Sequence, residues 1–328
     1  MRLIYTAFMM LLLGIFIVAI SGDFESIVGN IALNKPIIIE ETNLPPEVYF
    51  CPQDNCEQIL LELTDSSKNT VHCALYDLDL DNIINKLGEK NALLVVDQDN
   101  IEKVQNLNYV TNLGQRQLTH NKFCIINNEI VFTGSMNPTF NDAYKNNNNM
   151  LILYSKYIAE NYEEEFQELR NQQFGSGSNV KYPVVILNGK RIENYFCPED
   201  SCKDHIIEVL GKAEKSIYFM TFSFTHDEIG NALLKKDKEG IEIKGIFEKQ
   251  QNSQYSQYEK LSNLNVKWDN NKYKVHHKVF IVDEKIVIAG SMNPTISGDE
   301  RNDENILIIY DEGMAKKFIG EFEKIWGY

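Results

Sequence analysis

Positive charge is in short supply in this 328-residue chain. Its 32 lysines and arginines stand against 47 aspartates and glutamates, giving a net charge of −15 and an isoelectric point near 4.9. A protein that grips nucleic acid by neutralising phosphates over a broad surface needs the opposite balance, so that class is excluded. A local basic pocket holding one or two phosphates is not. Long apolar runs are also scarce, with one at residues 3–20. Histidine and cysteine number six each, so their spacing carries the information. What remains is ordinary: 43% hydrophobic and 24% charged residues mark a globular chain rather than a disordered one. The length suits two domains, or one double-sized domain with a large core.

The apolar run makes residues 1–21 a targeting segment, either an N-terminal transmembrane anchor or a signal peptide. Residues 3–20 are broken only by Tyr5, Thr6 and Gly14, which is the lower limit for a helix spanning a bilayer. Ala19-Ile20-Ser21 before Gly22 has the small-x-small form of a cleavage site, but the run is long for a signal, which favours an uncleaved anchor. Arg2 precedes the run while Asp23 and Glu25 follow it, so the remainder is expected outside the cytoplasm, membrane-anchored or secreted. Residues 22–46, ending in Leu44-Pro45-Pro46, read as a linker with one strand near 35–40.

A repeat organises the rest. THNKFCIINNEIVFTGSMNP (119–138) returns as VHHKVFIVDEKIVIAGSMNP (275–294), 156 residues later. Each reads as a strand with His and Lys two apart, hence on one face. A tight turn and a second strand then bring Ser and Asn back beside that pair. YFCP at 49–52 recurs at 195–198, an offset of 146, so the second half carries ten extra residues, assigned to the polar stretch 249–260. The halves are residues 47–174 and 195–328, joined by a linker at 175–194 that opens with Gly-Ser-Gly-Ser. A βαβ rhythm ending in a hairpin predicts an α/β fold: two duplicated α-β-α halves, mixed β-sheets flanked by helices, related by a pseudo-twofold axis with one shared site. Both motif copies lie in one chain, so no oligomer is required.

The pattern H-x-K-x4-D followed by G-S-x-N resembles the phospholipase D superfamily, over roughly residues 47–328. The second copy has His276, Lys278, Asp283, Gly290, Ser291 and Asn293, with Glu304 where the family carries an acid before an Asn. The first keeps His120, Lys122, Gly134, Ser135 and Asn137 but has Asn127 for the Asp and Asn148 for the Glu. The resemblance implies phosphodiester cleavage through a phosphohistidine, two easier displacements replacing one hard one. One imidazole attacks phosphorus and the other serves as acid and then base. Lys122, Lys278, Asn137 and Asn293 hold the non-bridging oxygens, while Ser135 and Ser291 orient neighbours or touch phosphate. Nothing in this scheme calls for a metal or other cofactor. In two-copy members the acid of one half meets the His of the other. That carries Glu304 to His120 and Asn148 to His276, with His120 as nucleophile and His276 as general acid and base. Asn127 and Asp283 support the hairpins; Asn148 implies weakened catalysis rather than a dead site.

Outside the cytoplasm the pairs Cys51/Cys56 and Cys197/Cys202 read as two local disulfides, ahead of a four-thiolate zinc site. Cys73 and Cys124 read as buried thiols acting as small hydrophobes. His72, His205 and His277 read as core or surface residues, as does His226, whose other reading is a substrate contact. Tyr195, Tyr255, Tyr258 and Trp268 are candidates for stacking on bases or lining a groove. The expected substrate is nucleic acid, DNA or RNA, because the 249–260 stretch is polar. The alternative is phospholipid, acted on by a phospholipase or phosphatidyl transferase held near headgroups by the N-terminal segment.

Overall fold

The computed structural model describes residues 38–327. The expected anchor or signal peptide therefore lies outside the described residues. Among those described, no helix is long and apolar enough to cross a membrane.

The first half runs β2 (Glu47–Cys51), α1 (Cys56–Asp65), β3 (Val71–Leu75), α2 (Asp81–Glu89), β4 (Leu93–Val96), α3 (Ile101–Val104), β5 (Asn108–Thr111), β6 (Lys122–Ile126), β7 (Ile130–Gly134), α4 (Phe140–Tyr144), β8 (Asn148–Tyr154) and α5 (Lys156–Arg170). The second half repeats the order. It has β10 (Lys190–Cys197), α6 (Cys202–Gly211), β11 (Ser216–Thr221), α7 (Asp227–Lys238), β12 (Glu242–Phe247) and α8 (Tyr258–Leu261). There follow β13 (Asn265–Trp268), β14 (Lys278–Val282), β15 (Ile286–Gly290), α9 (Ile296–Glu300), β16 (Glu304–Tyr310) and α10 (Glu312–Trp326). Their sheets match strand for strand: β2-β8-β7-β6-β3-β4-β5 and β10-β16-β15-β14-β11-β12-β13.

The segments read as linkers contribute strands as well. β1 (Ile38–Glu41) pairs in parallel with β9 (Val184–Leu187), Ile38 opposite Val184, and β9 pairs with β10, extending the second sheet to nine strands. The runs IIEE and VVIL are rich in β-branched residues, which suits a pleated surface; the first overlaps the strand expected near 35–40, while the second, just after Pro183, lies in a stretch read only as a linker.

The central strands are continuously apolar because both faces are covered. One face of the first sheet packs Leu60 and Ile83 of α1 and α2 against Leu75, Leu94 and Phe132. Its other face shares one core with the second half: Phe123, Ile125, Leu151, Val279 and Leu307 surround Tyr162 and Phe166 of α5 and Phe318 and Phe322 of α10. These two helices lie between the halves because each presents apolar residues at three- and four-residue spacing. Ser155 and Asp311 cap their N-termini by accepting backbone N–H bonds, from Ile158 and from Gly313 and Met314.

All six cysteines are paired. Cys51–Cys56 and Cys197–Cys202 are local bridges, so their thiolates are not a zinc site. Cys73 and Cys124, read as thiols, form a third disulfide. They are buried and directly opposite on antiparallel β3 and β6, with Cα atoms 4.1 Å apart. Their sequence separation of 51 hides a pairing that only strand register reveals.

Candidate active site

The paired hairpins turn through successive residues with left-handed backbone, Asn127–Asn128 and Asp283–Glu284, the conformation tight hairpins demand. Asn127 and Asp283 perform the same task. The Asn127 Oδ1 accepts from the N–H groups of Lys68 and Asn69 at 3.0 Å each. The Asp283 carboxylate accepts from those of Glu214, Lys215 and Ser216 at 2.7–2.9 Å. Each side chain therefore ties its turn to the start of the neighbouring strand, and neither approaches the histidines.

β6 and β14 begin at the lysines, so the histidines sit on the extended residues just before the strands. Each is gripped there by the other half: His120 N–H donates to the Asp303 carbonyl at 3.0 Å, and His276 N–H to the Asn147 carbonyl at 2.8 Å. This exchange sets His120 Nδ1 2.7 Å from the Glu304 Oε2 and His276 Nδ1 2.8 Å from the Asn148 Oδ1. With Nδ1 engaged, Nε2 is the nitrogen left to reach a substrate. Lys122 and Lys278 fold back so that each ammonium donates to its own histidine's carbonyl, at 2.6 and 2.5 Å.

Ser291 donates to Glu304 at 2.7 Å and Ser135 to Asn148 at 3.2 Å, so both serines orient the residues that hold the imidazoles. The loops before them need glycine. A Cβ on Gly134 or Gly290 would stand 2.5 or 2.2 Å from the carbonyl oxygen of Asn149 or Asn305. Asn137 and Asn293 line, with His120 and His276, one cleft of about 400 Å³.

Burial dominates the electrostatics. It pushes His120 and His276 below the ordinary imidazole value; Glu304 opposes this at His120, and Asp142 at His276. It also draws the Lys122 ammonium down to about 8 and Lys278 well below its usual value, the latter helped by Lys122 nearby. Both ammonium groups are buried, and Lys122 disfavours the charge on Lys278, a strain that an anion held beside them would relieve.

Three features escaped the sequence. Asn149 and Asn305 latch the halves together: Asn305 Nδ2 donates to Asn121 at 2.7 Å, and Asn149 Nδ2 lies 3.0 Å from the His277 Nδ1. Tyr76 and Phe222 wall the two histidines, with ring centroids 4.7 and 4.8 Å away; their offset of 146, shared with the YFCP repeat, was the signal available. Asp142 Oδ2 lies 3.4 Å from the His276 Nδ1. The expected aromatic groove residues are elsewhere. Tyr195 stacks on His205, Tyr258 stacks on Trp268 against the second half's outer core, and Tyr255 projects into solvent. His226 is fully buried and 3.7 Å from Asp299, while His277 packs 3.6 Å from Glu321 and His72 pairs with Glu163.

Comparison with known proteins meets this geometry twice over. The family model for the cardiolipin synthase, phospholipase D-like domain matches residues 48–170 and again 206–326. Phospholipase D of Rickettsia typhi is 30% identical over 141 residues, 42% of this chain and 69% of that one. The mitochondrial cardiolipin hydrolase of Canis lupus familiaris is 30% identical over 131 residues, 39% of this chain and 51% of that one. The crystal structure of phosphatidylserine synthase from Haemophilus influenzae shares the fold at a TM-score of 0.63, covering 85% of each chain at 12% identity. Two family matches spanning most of the chain, each containing a His–Lys hairpin, make this protein a phosphodiesterase-type member of the phospholipase D superfamily.

Proposed function

We propose that the protein is a nuclease that cleaves single-stranded DNA or RNA by a metal-independent route. His120 Nε2 attacks phosphorus and forms an N–P bond as the P–O bond to the leaving alcohol breaks. His276 gives its proton to that oxygen. Water then loses a proton to His276 and attacks phosphorus, the N–P bond breaks, and His120 is released. Glu304 holds the His120 tautomer and stabilises its charged, phosphorylated form, while Lys122, Lys278, Asn137 and Asn293 hold the non-bridging oxygens.

One observation favours nucleic acid over lipid: a ledge of alternating aromatic and basic side chains on the lip of the cleft. Phe140, Tyr144 and Tyr273 are all exposed. The Lys145 ammonium lies 4.8 Å from the Phe140 ring centre and 5.9 Å from that of Tyr273, with Lys272 5.2 Å from Tyr273. Lys274 enters the cleft itself over Phe222, at 5.7 Å. Stacking on such rings is sequence-tolerant and suits unpaired bases. Asp77 and Asp79 also line the cleft, Asp79 at the foot of the ledge where it accepts from the Phe140 N–H at 2.6 Å, so the lysines are the groups left to meet phosphates. The cleft walls are mostly amides, hydroxyls and charges, with little apolar surface for acyl chains.

A second reading, phospholipid cleavage, draws on the relatives named phospholipase D and cardiolipin hydrolase and on Phe140 and Ile296, exposed at the same position of both halves. The deciding experiment offers labelled single-stranded DNA, RNA, duplex DNA and phosphatidylcholine–cardiolipin vesicles to the purified full chain in a chelator. Strand cleavage lost on His120→Asn, with a raised KM on Lys145→Glu/Lys274→Glu, supports the nuclease. Headgroup release with intact nucleic acid overturns it. The same reading places the domain outside the cytoplasm, membrane-anchored or secreted, on the strength of the N-terminal segment and three disulfides.

A further inference from the structure

The two copies of the motif differ at two places that the structure brings to one imidazole. Copy two has Gly298 and Glu304; copy one, at the aligned positions, has Asp142 and Asn148. A carboxylate is therefore missing from the start of β8 and another is present in α4, six residues earlier. At Gly298 no side chain fits, since a Cβ there would meet the Asn293 carbonyl oxygen at 2.4 Å. In copy one the position is open to a carboxylate, and it points at the histidine that Asn148 leaves without a negative partner.

We propose that Asp142 is a positioning residue for His276, supplying from α4 the negative charge that Glu304 supplies to His120 from β16. Asp142 is buried. Its Oδ2 lies 3.4 Å from the His276 Nδ1, whose proton goes to the Asn148 Oδ1 at 2.8 Å. The carboxylate is itself fixed by the backbone N–H and Nδ2 of Asn137, at 2.9 and 2.8 Å, and by the Nδ2 of Asn146 at 2.8 Å. Asn148 turns its own Nδ2 away, towards the carbonyls of Asp142 and Asn146. The pair thus divides one glutamate's work: Asn148 orients the ring, and Asp142 supplies the charge. The charged groups facing His276 are Lys278 of its own hairpin, Lys122 of the other half and Asp142 of α4, with Lys274 further along the cleft. Three of these are cations, and Lys278 and Lys122 oppose protonation most directly. Asp142 is the group that favours it, and its carboxyl is held far below the ordinary range by the histidine and its hydrogen-bond donors. A general acid must begin protonated; burial already works against this at His276, and losing Asp142 would deepen the deficit.

The inference rests on the reading of His276 as general acid, and the test separates the two. The hydrolysis of bis(p-nitrophenyl) phosphate, which needs neither lipid nor nucleic-acid recognition, is followed from pH 4 to 9 for the parent, Asp142→Asn and Asp142→Gly/Asn148→Glu. Nitrogen-15 histidine NMR titrates His276 in the same proteins, its signal assigned with His276→Gln. Asp142→Asn should lower kcat by about 30-fold with KM nearly unchanged, the loss of one charge-assisted contact. It should also move the His276 titration down by about one pH unit. The double variant, which rebuilds copy two's arrangement in copy one, should recover both. If Asp142 only braces the Asn137 loop, the titration stays in place and the double variant fails while melting at the parent temperature; that overturns the inference. A titration that moves in a protein inactive on every substrate upholds Asp142 and sinks the functional reading instead.

Discussion

Glu304→Gln is the sharpest perturbation of the nucleophile, because it removes a charge and keeps a shape. Glu304 is fully buried, and its Oε2 both faces His120 Nδ1 at 2.7 Å and accepts from Ser291 at 2.7 Å. A glutamine carbonyl can accept both bonds, but its NH2 then turns to the Oε1 position, where Asn302 already presents a donor at 3.5 Å. The variant keeps the ring near its place while losing the charge that stabilises the imidazolium and the phosphorylated ring. A hydrogen bond to a charged group contributes about 1.5–3 kcal/mol, which at about 1.4 kcal/mol per decade is a loss of roughly 10- to 150-fold in kcat. The assay is initial-rate hydrolysis of an activated phosphodiester, with a circular-dichroism melt to show that the fold survives. A Glu304→Gln protein within about threefold of the parent rate would refute the assigned role of the carboxylate.

Two other outcomes test the surrounding fold. Unreduced protein denatured with an alkylating agent should take up no label at any cysteine. Closing a loop of 51 residues, the Cys73–Cys124 bridge should be the most stabilising of the three: its loss as Cys73→Ala/Cys124→Ala should cost about 4 kcal/mol by loop entropy, measured by denaturant unfolding, and a labelled Cys73 would contradict the pairing. The second outcome concerns pH. Burial raises Asp303 to about 8 and Glu199 to about 7, against roughly 4 in an unfolded chain. Their contribution is complete below that unfolded value and is lost as pH rises through 7 to 8. The buried histidines His120, His276 and His277, pushed down, act in the opposite sense, but only below about 6.5. Lys122 and Lys278, also pushed down, act against this as pH rises, so the readout is the difference between curves: Asp303→Asn should lose less stability than the parent up to about pH 8, and parallel curves would show that Asp303 is ionised in the fold.

The duplicated fold and the composition of the site were legible because both depend on local pattern. Strand alternation, turn chemistry and a motif stated twice needed no long-range information, and the identical GSMNP loops marked where the chain returns to its histidine. What stayed hidden depends on register. Cys73 meets Cys124 only because β3 lies antiparallel to β6 with those residues opposite, and β1 joins the second sheet through a strand from a segment that reads as a linker. Asp142 was missed for a different reason. A motif assigns the acid to one position, whereas His276 requires only that a carboxylate be near, and the chain delivers it from another element. Comparing the halves residue by residue would have raised the question, since the copy that lacks Glu gains Asp.

The central claim is a covalent phosphoryl group on one named nitrogen, in a cleft shared by both halves. It is tested by acid-free quench and peptide mass spectrometry of the full chain, mixed with an activated phosphodiester and carrying His276→Asn to slow release. The account predicts a substrate-derived phosphoryl adduct on His120, and none when His120→Asn is added. An adduct on any other residue, or turnover in the His120→Asn protein, would contradict it.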